Sequence, residues 1–157
     1  MNTNGSIALV TGASSGIGEA TASRLAQAGY KVYGTSRRGT QSGQPSFEML
    51  SLDVTSDESV EAVVNELIRR EGRIDLLVNN AGFGVAPAAA EESSLDQARA
   101  IFDTNFFGVT RMTRAVVPHM RQQRSGRIIN IGSVLGFLPM PYMALYSSTK
   151  HAVAGYS

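Results

Sequence analysis

Two side chains near the carboxyl end of the sequence form a pair that could move a proton. Tyr146 and Lys150 are four residues apart in the segment Tyr-Ser-Ser-Thr-Lys, so on a helix their Cβ atoms would lie roughly 5–6 Å apart on one face. A free phenol has a pKa of about 10 and is a poor base at neutral pH, but a nearby ammonium group stabilises phenolate and lowers that pKa. The pair therefore predicts a tyrosine that exchanges a proton with a substrate oxygen.

A glycine-rich turn lies between a predicted strand at residues 6–11 and a predicted helix at 16–28, and it reads Thr-Gly-Ala-Ser-Ser-Gly-Ile-Gly. Glycine permits a tight turn that brings backbone N–H groups close to a pyrophosphate, and the helix N-terminus adds the positive end of its dipole. The turn therefore predicts a dinucleotide site. Its spacing differs from the common Gly-x-Gly-x-x-Gly pattern, so an ordinary glycine turn is the alternative. The predicted contact residues are Gly12, Ser14, Ser15, Gly16, Ile17 and Gly18.

The end of a second predicted strand, Lys31–Ser36, indicates which dinucleotide is bound. A free ribose 2′-hydroxyl is usually held by Asp or Glu at this point, whereas a 2′-phosphate needs cationic donors. Here Ser36 is followed by Arg37 and Arg38, and one Arg–phosphate hydrogen bond contributes roughly 1.5–3 kcal/mol. The sequence predicts NADP(H) rather than NAD(H), with two solvated loop arginines as the alternative.

The elements that position these residues alternate along the chain. Short apolar segments predict further strands at residues 47–52, 74–78 and 127–131. Helical periodicity predicts helices at residues 57–72, 95–124 and 143–157, and a turn-rich segment is expected at 37–46. Strands separated by helix-length segments pair in parallel with right-handed crossovers. The sequence therefore predicts one α/β domain over residues 1–157, with a doubly wound, Rossmann-like sheet in the order 3-2-1-4-5.

Composition excludes several classes of protein. The 157 residues include 14 Lys plus Arg, 13 Asp plus Glu, 43% hydrophobic residues and no cysteine. This fits one globular domain without disulfides, thiolate metal sites or cysteine nucleophiles, and no metal site is predicted. No apolar run approaches the roughly 18 residues of a membrane span, and the first residues lack the pattern of a signal peptide. We expect a cytoplasmic protein without membrane contact.

Every charged side chain after Asp103 is positive: Arg111, Arg114, Arg121, Arg124, Arg127 and Lys150. A nucleic-acid surface is one interpretation of such a block. The arginines alternate with apolar residues on one predicted helix and no aromatic stacking platform accompanies them, so we expect no nucleic-acid partner. A missing acidic segment would explain the imbalance as well.

The motifs TGxxxGxG, NNAG and YxxxK, in this order, resemble those of the short-chain dehydrogenase/reductase family. The resemblance covers residues 7–157 and includes Asp53-Val54-Thr55, Asn79-Asn80-Ala81-Gly82, Asn105, and Ser133 with the Tyr146–Lys150 segment. It implies an enzyme that transfers a hydride between NADP(H) and a small carbonyl or alcohol substrate. A non-catalytic NADP(H)-sensing protein of the same fold is the alternative, although such relatives usually lose the tyrosine or the lysine.

The resemblance also assigns roles to the cofactor-binding residues. Asp53 and Val54 would contact the adenine ring, and Asn80 and Ala81, followed by Gly82, would lie on the adenosine-ribose side of the dinucleotide. For the Asn-Asn-Ala-Gly segment the alternative is strand-ending chemistry, in which asparagine bonds its own backbone. The family uses this motif for both purposes, so part of it is expected to be structural.

Four residues would carry catalysis by resemblance. Tyr146 would exchange the proton, Lys150 would also bond the nicotinamide ribose, and Ser133 would hydrogen-bond the reacting carbonyl or hydroxyl group. Asn105 would hold a water in a proton relay with the lysine. Outside the family context, Ser133 would be a loop serine and Asn105 an irregular helix position.

The segment between Ser133 and Tyr146 is mostly apolar and contains Leu135, Phe137, Leu138, Met140, Tyr142 and Met143. By resemblance it borders the substrate pocket, so a steroid-like, lipid-like or aryl carbonyl or alcohol is expected. Simple packing of these side chains explains the pattern almost as well.

Family members generally run to about 250 residues, a length that one α/β domain commonly reaches. The resemblance therefore implies that these residues are the N-terminal part of a longer polypeptide whose C-terminal strands are absent. The full-length protein is expected to form a homodimer or homotetramer through the helices predicted at 95–124 and from 143 onward. Residues 1–157 alone are expected to bind NADPH weakly and not to turn over.

Overall fold

A computed structural model of the chain describes residues 5–39 and 46–157. The first four residues and most of the predicted turn-rich segment, namely residues 40–45, lie outside the described residues. Within the described ranges, five parallel strands form one sheet in the order β3-β2-β1-β4-β5. The strands are β1 (Ile7–Val10), β2 (Lys31–Ser36), β3 (Glu48–Ser51), β4 (Leu76–Asn79) and β5 (Arg127–Asn130). The predicted doubly wound α/β sheet and its strand order are confirmed.

The described α-helices are α1 (Gly16–Gln27), α2 (Asp57–Glu71), α3 (Leu95–Phe102), α4 (Gly108–Gln123) and α5 (Ala144–Tyr156). Of these, α1, α2 and α4 share apolar cores with the strands. Local chemistry explains the bounds of α2. The Ser56 hydroxyl accepts a hydrogen bond from the Ser59 N–H at its start, and Gly72 ends it with a left-handed φ of 72°.

The central strand supplies side chains to both faces of the sheet, because successive side chains in a strand point in opposite directions. Ile7 and Leu9 belong to the apolar core that includes residues of α2 and α4. Ala8 and Val10 belong to the core that includes Ala22 of α1. All four side chains of β1 are buried. The strand is therefore packed on both of its faces, and the loop that follows it begins from a fixed position.

The helix predicted over residues 95–124 contains an irregularity that its periodicity does not indicate. A π-helical turn, Asp103–Phe107, separates α3 from α4. Such a turn adds one residue to the helical repeat and often occurs at functional sites. Asn105 lies in this turn and is buried, so its polar side chain needs partners inside the protein.

Among the residues described, no helix is both long and apolar enough to cross a bilayer.

The edge strand β5 pairs with β4, and its exposed residues alternate with half-buried ones. Ile129 on this strand is 42% exposed.

Candidate functional site

One cavity of about 780 Å³ lies where the loops after all five strands meet. The carboxyl edge of a doubly wound sheet is the usual place for a ligand in this type of fold. The lining combines Gly12, Ser14, Ser15, Ile17, Gly18, Thr35, Ser36, Arg37, Leu52, Asp53, Val54, Thr55, Asn80, Ala81, Gly82, Phe83, Gly84, Thr104, Ile131, Gly132, Tyr146 and Lys150. The fold therefore brings most of the predicted site residues together, although they are spread over more than 130 residues of sequence.

Four predicted site residues are placed outside this lining as the structure describes it: Gly16, Arg38, Asn105 and Ser133. Gly16 begins α1 with a φ of 59°, a conformation that favours glycine. Arg38 is an exposed neighbour of the lining residue Arg37. For these residues the predicted contacts stay predictions.

The glycine turn is packed tightly against the loop that follows β4. A Cβ atom placed on Gly18 would collide with the Gly12 carbonyl oxygen and the Asn80 side chain, and one on Gly12 would lie 2.8 Å from Ala81 Cα. The Ser15 side chain makes no capping hydrogen bond at the start of α1. The Ser15 hydroxyl therefore does not occupy the N–H groups of the first helical turn. At its glycine positions the turn thus offers backbone donors without side chains, a feature typical of a phosphate site.

Asn80 has a structural task within this arrangement. Its Nδ2 donates hydrogen bonds to the Thr11 and Gly12 carbonyl oxygens at 2.9 and 3.0 Å. The Thr11 Oγ1 accepts hydrogen bonds from the Asn80 and Ala81 N–H groups, both at 3.0 Å. Thr11, the first residue of the TGxxxGxG motif, therefore joins the loops after β1 and β4, a role that its place in the motif does not indicate.

Asp53 is half-buried on the cavity wall, and its Oδ1 accepts hydrogen bonds from the Thr55 N–H at 2.9 Å and the Thr55 hydroxyl at 2.8 Å. These two bonds, the backbone one first, lower the pKa of the Asp53 carboxyl below its usual range, and the positive charges of Arg37 and Arg111 act in the same direction. The carboxylate is therefore negative at neutral pH and can accept a further donor from the cavity.

Two arginines follow β2, of which Arg37 lines the cavity and Arg38 is its exposed neighbour. Arg37 and Arg38 are exposed, and neither forms an ion pair within residues 5–39 and 46–157. The Ser36 hydroxyl donates to the Gly39 carbonyl oxygen at 3.1 Å, which tightens the turn that carries them. A cationic side chain without an acidic partner at this place can bind an anion.

Tyr146 and Lys150 lie one helical turn apart on α5, as predicted from their spacing. The Lys150 Nζ lies 5.7 Å from the centroid of the Tyr146 ring and donates a hydrogen bond to the Ile131 carbonyl oxygen at 2.8 Å. Lys150 is 8% exposed, and this burial lowers its pKa from the ordinary value. An ammonium group beside the phenol can stabilise phenolate, so the pair is suited to proton transfer.

Asn105 and Ser133 both make hydrogen bonds to nearby backbone. The Asn105 Oδ1 accepts from the Phe83 N–H at 3.0 Å, and its Nδ2 donates to the Phe83 carbonyl oxygen at 2.9 Å. The Ser133 Oγ accepts from the Leu135 N–H at 3.2 Å, which leaves the serine O–H able to donate. The predicted water relay of Asn105 and the substrate contact of Ser133 stay predictions.

The apolar segment before Tyr146 is largely exposed rather than packed. Half or more of the surface of five of its large side chains is exposed, namely Val134, Phe137, Leu138, Met140 and Tyr142. A second, mostly apolar cavity of about 750 Å³ lies between residues 139–142, residues 88–90 and the outer side of α5. Packing within the described chain therefore does not account for this segment.

The basic residues after Asp103 do not act as a single block. Arg111 bonds the side chains of Asp57 and Asp103 at 3.0 and 2.7 Å and joins α4 to the start of α2. Lys150 is buried beside the cavity.

In the described ranges, no group of three or more His, Asp or Glu side chains is arranged to hold a metal ion.

One cleft thus combines a glycine turn at the start of α1, a carboxylate after β3 and a Tyr–Lys pair on α5. It lies at the carboxyl edge of the sheet, where doubly wound α/β folds hold their ligands. The family model described as short chain dehydrogenase matches residues 6–157. The chain belongs to this family, and the predicted membership is confirmed.

Curated relatives support the same family. The chain is 46% identical over 152 residues to a 3-ketodihydrosphingosine reductase of Bacteroides thetaiotaomicron, with 96% of this chain and 55% of the relative covered. It is 40% identical over 166 residues to a 3-oxoacyl-(acyl-carrier-protein) reductase of Vibrio cholerae, with 100% of this chain and 66% of the relative covered. The chain thus spans between 55% and 66% of the length of these two relatives.

Solved structures have the same fold. A short-chain dehydrogenase from Streptomyces avermitilis is similar with a TM-score of 0.89 at 40% identity, with 97% of this chain and 59% of that chain covered. The closed form of a serine dehydrogenase complexed with NADP+ is similar with a TM-score of 0.88 at 37% identity, with 96% and 63% covered.

Proposed function

We propose that this protein is an NADP(H)-dependent oxidoreductase that transfers a hydride between the nicotinamide and a carbonyl or alcohol carbon. The proposal rests mainly on one observation, the convergence of the glycine turn, Asp53, Arg37 and the Tyr146–Lys150 pair on a single cavity. The glycine turn lines the cavity at the start of α1, where backbone N–H groups suit a pyrophosphate. Relatives in the short chain dehydrogenase family support the reaction class.

In the proposed mechanism, the bound nicotinamide supplies or accepts the hydride, and the protein handles the proton. During reduction the Tyr146 phenol donates its proton to the carbonyl oxygen, and the Lys150 ammonium stabilises the phenolate that remains. One N–H of Lys150 bonds the Ile131 carbonyl oxygen, which leaves two for the tyrosine side and a ribose hydroxyl. The Ser133 O–H donates to the same substrate oxygen.

The proposed cofactor is NADP(H) because Arg37 lies where a ribose-binding acid would favour NAD(H). Two relatives point the same way: one solved structure contains bound NADP+, and one curated relative is named as NADP-dependent. Asp53 and Val54, which line the same cavity, would contact the adenine ring.

Arg37→Asp is expected to reduce the ratio of kcat/KM for NADPH over NADH by about 10- to 100-fold, because one charge-assisted bond to the 2′-phosphate contributes roughly 1.5–3 kcal/mol. The new carboxylate would also repel the phosphate and accept a 2′-hydroxyl. Initial rates with both cofactors provide the measurement, and Arg38→Asp shows how far the neighbouring arginine shares the role. An unchanged ratio in both Arg37→Asp and the double variant would contradict the NADP(H) assignment.

The proposed substrate is an apolar carbonyl or alcohol compound, and a lipid-like one has the most support. Exposed apolar side chains such as Leu138 and Met140 precede Tyr146 in the segment that is expected to border the substrate, and burial of a hydrocarbon chain against them would be favourable. The two curated relatives are named as a 3-ketodihydrosphingosine reductase and a 3-oxoacyl-(acyl-carrier-protein) reductase, which is consistent with such a substrate. We also propose that the full-length protein is a cytoplasmic homodimer or homotetramer without a nucleic-acid partner.

The alternative is a protein that senses NADP(H) without catalysis. It predicts cofactor binding with no consumption of NADPH in the presence of any ketone. Tyr146 and Lys150 both line the cavity, and a sensor would have no use for their proton-transfer chemistry, so the geometry favours the enzyme.

A further inference from the structure

Thr149 is a fully buried polar residue on the helix that carries the Tyr146–Lys150 pair. Its Oγ1 donates a hydrogen bond to the Tyr146 carbonyl oxygen at 2.8 Å and accepts one from the Asn105 Nδ2 at 3.3 Å. The hydroxyl therefore connects the backbone of the proposed catalytic tyrosine with the π-helical turn between α3 and α4.

Asn105 extends this connection to the wall of the cofactor cavity. Its side chain bonds both the N–H and the carbonyl oxygen of Phe83, at 3.0 and 2.9 Å. A Cβ atom on Gly82 would lie 3.0 Å from the Asn105 Oδ1, so this loop is packed closely on the asparagine. Because Gly82 and Phe83 line the cavity, one chain of hydrogen bonds runs from the cavity wall to the Tyr146 backbone.

The helix α5 is thus attached at two places close to the proposed reaction centre. Lys150 holds it to the loop after β5 through the bond to the Ile131 carbonyl oxygen. Thr149 holds it to the loop after β4 through Asn105. A proton donor must be placed accurately, since a displacement of about 1 Å can cost about 100-fold in rate.

We propose that Thr149 is a positioning residue that keeps the Tyr146 phenol at a fixed place relative to the cofactor loop. The inference rests on the proposed oxidoreductase function, because it concerns the orientation of the same tyrosine. Its hydroxyl, rather than its methyl group, has this role, so serine at position 149 should serve and valine should not.

The test compares Thr149→Val, Thr149→Ser and Thr149→Ala with Ser147→Ala as a matched control. Ser147 is a buried hydroxyl residue on the same helix, and its Oγ has no hydrogen-bond partner in the described part of the chain. Each variant is made in the full-length protein and measured for ketone reduction, for NADPH affinity, for the deuterium isotope effect on kcat and for Tm.

We expect Thr149→Val to lower kcat by about 10- to 100-fold at saturating substrate, with NADPH affinity within about two-fold and a larger isotope effect. Thr149→Ser and Ser147→Ala should retain kcat within about three-fold. If Thr149→Val does not fold, Thr149→Ala takes its place and should lower kcat in the same way.

A purely structural role gives a different result, in which Tm falls but kcat well below Tm matches that of Ser147→Ala. That result, or a serine variant as slow as the valine or alanine variant, overturns the inference about Thr149. Absence of ketone reduction in the unsubstituted protein overturns instead the proposed function on which the inference rests.

Discussion

Tyr146→Phe is expected to lower turnover of a carbonyl substrate by about 1,000-fold, because it removes the oxygen that exchanges the proton. The Tyr146 ring lies at the cavity with the Lys150 Nζ 5.7 Å from its centroid, and phenylalanine keeps that ring. NADPH affinity should therefore change by no more than about two-fold. Steady-state rates and NADPH fluorescence titration of protein that reduces a ketone provide the measurement.

Tyr156→Phe is the matched control for this substitution. Tyr156 ends the same helix, and its ring makes an edge contact with the Phe106 ring, away from the proposed chemistry. Its hydroxyl should be dispensable, so kcat should match that of the unsubstituted protein. A Tyr146→Phe enzyme as active as Tyr156→Phe would show that the proton comes from another group.

Lys150→Met is expected to impair both chemistry and cofactor binding. We expect about 1,000-fold lower kcat and about ten-fold weaker NADPH binding, because the ammonium group is proposed to stabilise the phenolate and to bond the cofactor ribose. Methionine fills a similar volume, so loss of packing does not explain such an effect. The rates and the NADPH dissociation constant are measured as for Tyr146→Phe.

The chain provides a natural control in its one other lysine. Lys31 is mostly exposed and bonds the Glu71 carboxylate at 2.7 Å at the start of β2, the end of that strand away from the cavity. Lys31→Met removes the same charge and should leave kcat and NADPH affinity within about two-fold, since exposed ion pairs contribute little. Equal effects of the two substitutions would contradict a specific role for Lys150.

Burial of Lys150 also predicts a pH dependence of stability. Because burial lowers the pKa of Lys150 in the folded protein below that of the unfolded chain, folding disfavours its charged form. The cost is fully present below the folded pKa and disappears as pH rises through it toward the unfolded value of about 10.4. The free energy of unfolding should therefore rise with pH relative to that of Lys150→Met, as measured by urea unfolding without cofactor.

The sheet could be predicted because its information is local in the sequence. Each strand is a short segment bounded by turn residues, and the crossovers that follow β1, β3 and β4 contain helices. The apolar stripe of α2, for example, is formed by Val60, Val63, Val64 and Leu67. Parallel pairing then follows from the crossovers, and the strand order is that of a doubly wound sheet. The π-helical turn at Asp103–Phe107 was missed because helical periodicity continues on both sides of it.

The candidate site was predicted at the level of motifs, and its supporting contacts were not. The Tyr146–Lys150 spacing and the glycine turn are visible in the sequence because their residues are neighbours. Thr11 and Asn80 are 69 positions apart, and Asn105 and Thr149 are 44 apart, so nothing local indicates that they meet. These contacts exist only after the loops at the carboxyl edge of the sheet have been brought together.

Transfer of deuterium from the nicotinamide C4 of labelled NADPH to a ketone tests the central claim most directly. Full-length protein is incubated with the labelled cofactor and methyl ketones of increasing chain length, and the alcohols are examined by mass spectrometry. The account predicts one deuterium at the carbinol carbon, with transfer more efficient for the longer chains and absent in Tyr146→Phe. Protein that binds NADPH but transfers no deuterium to any ketone would contradict it and would favour the NADP(H)-sensing alternative.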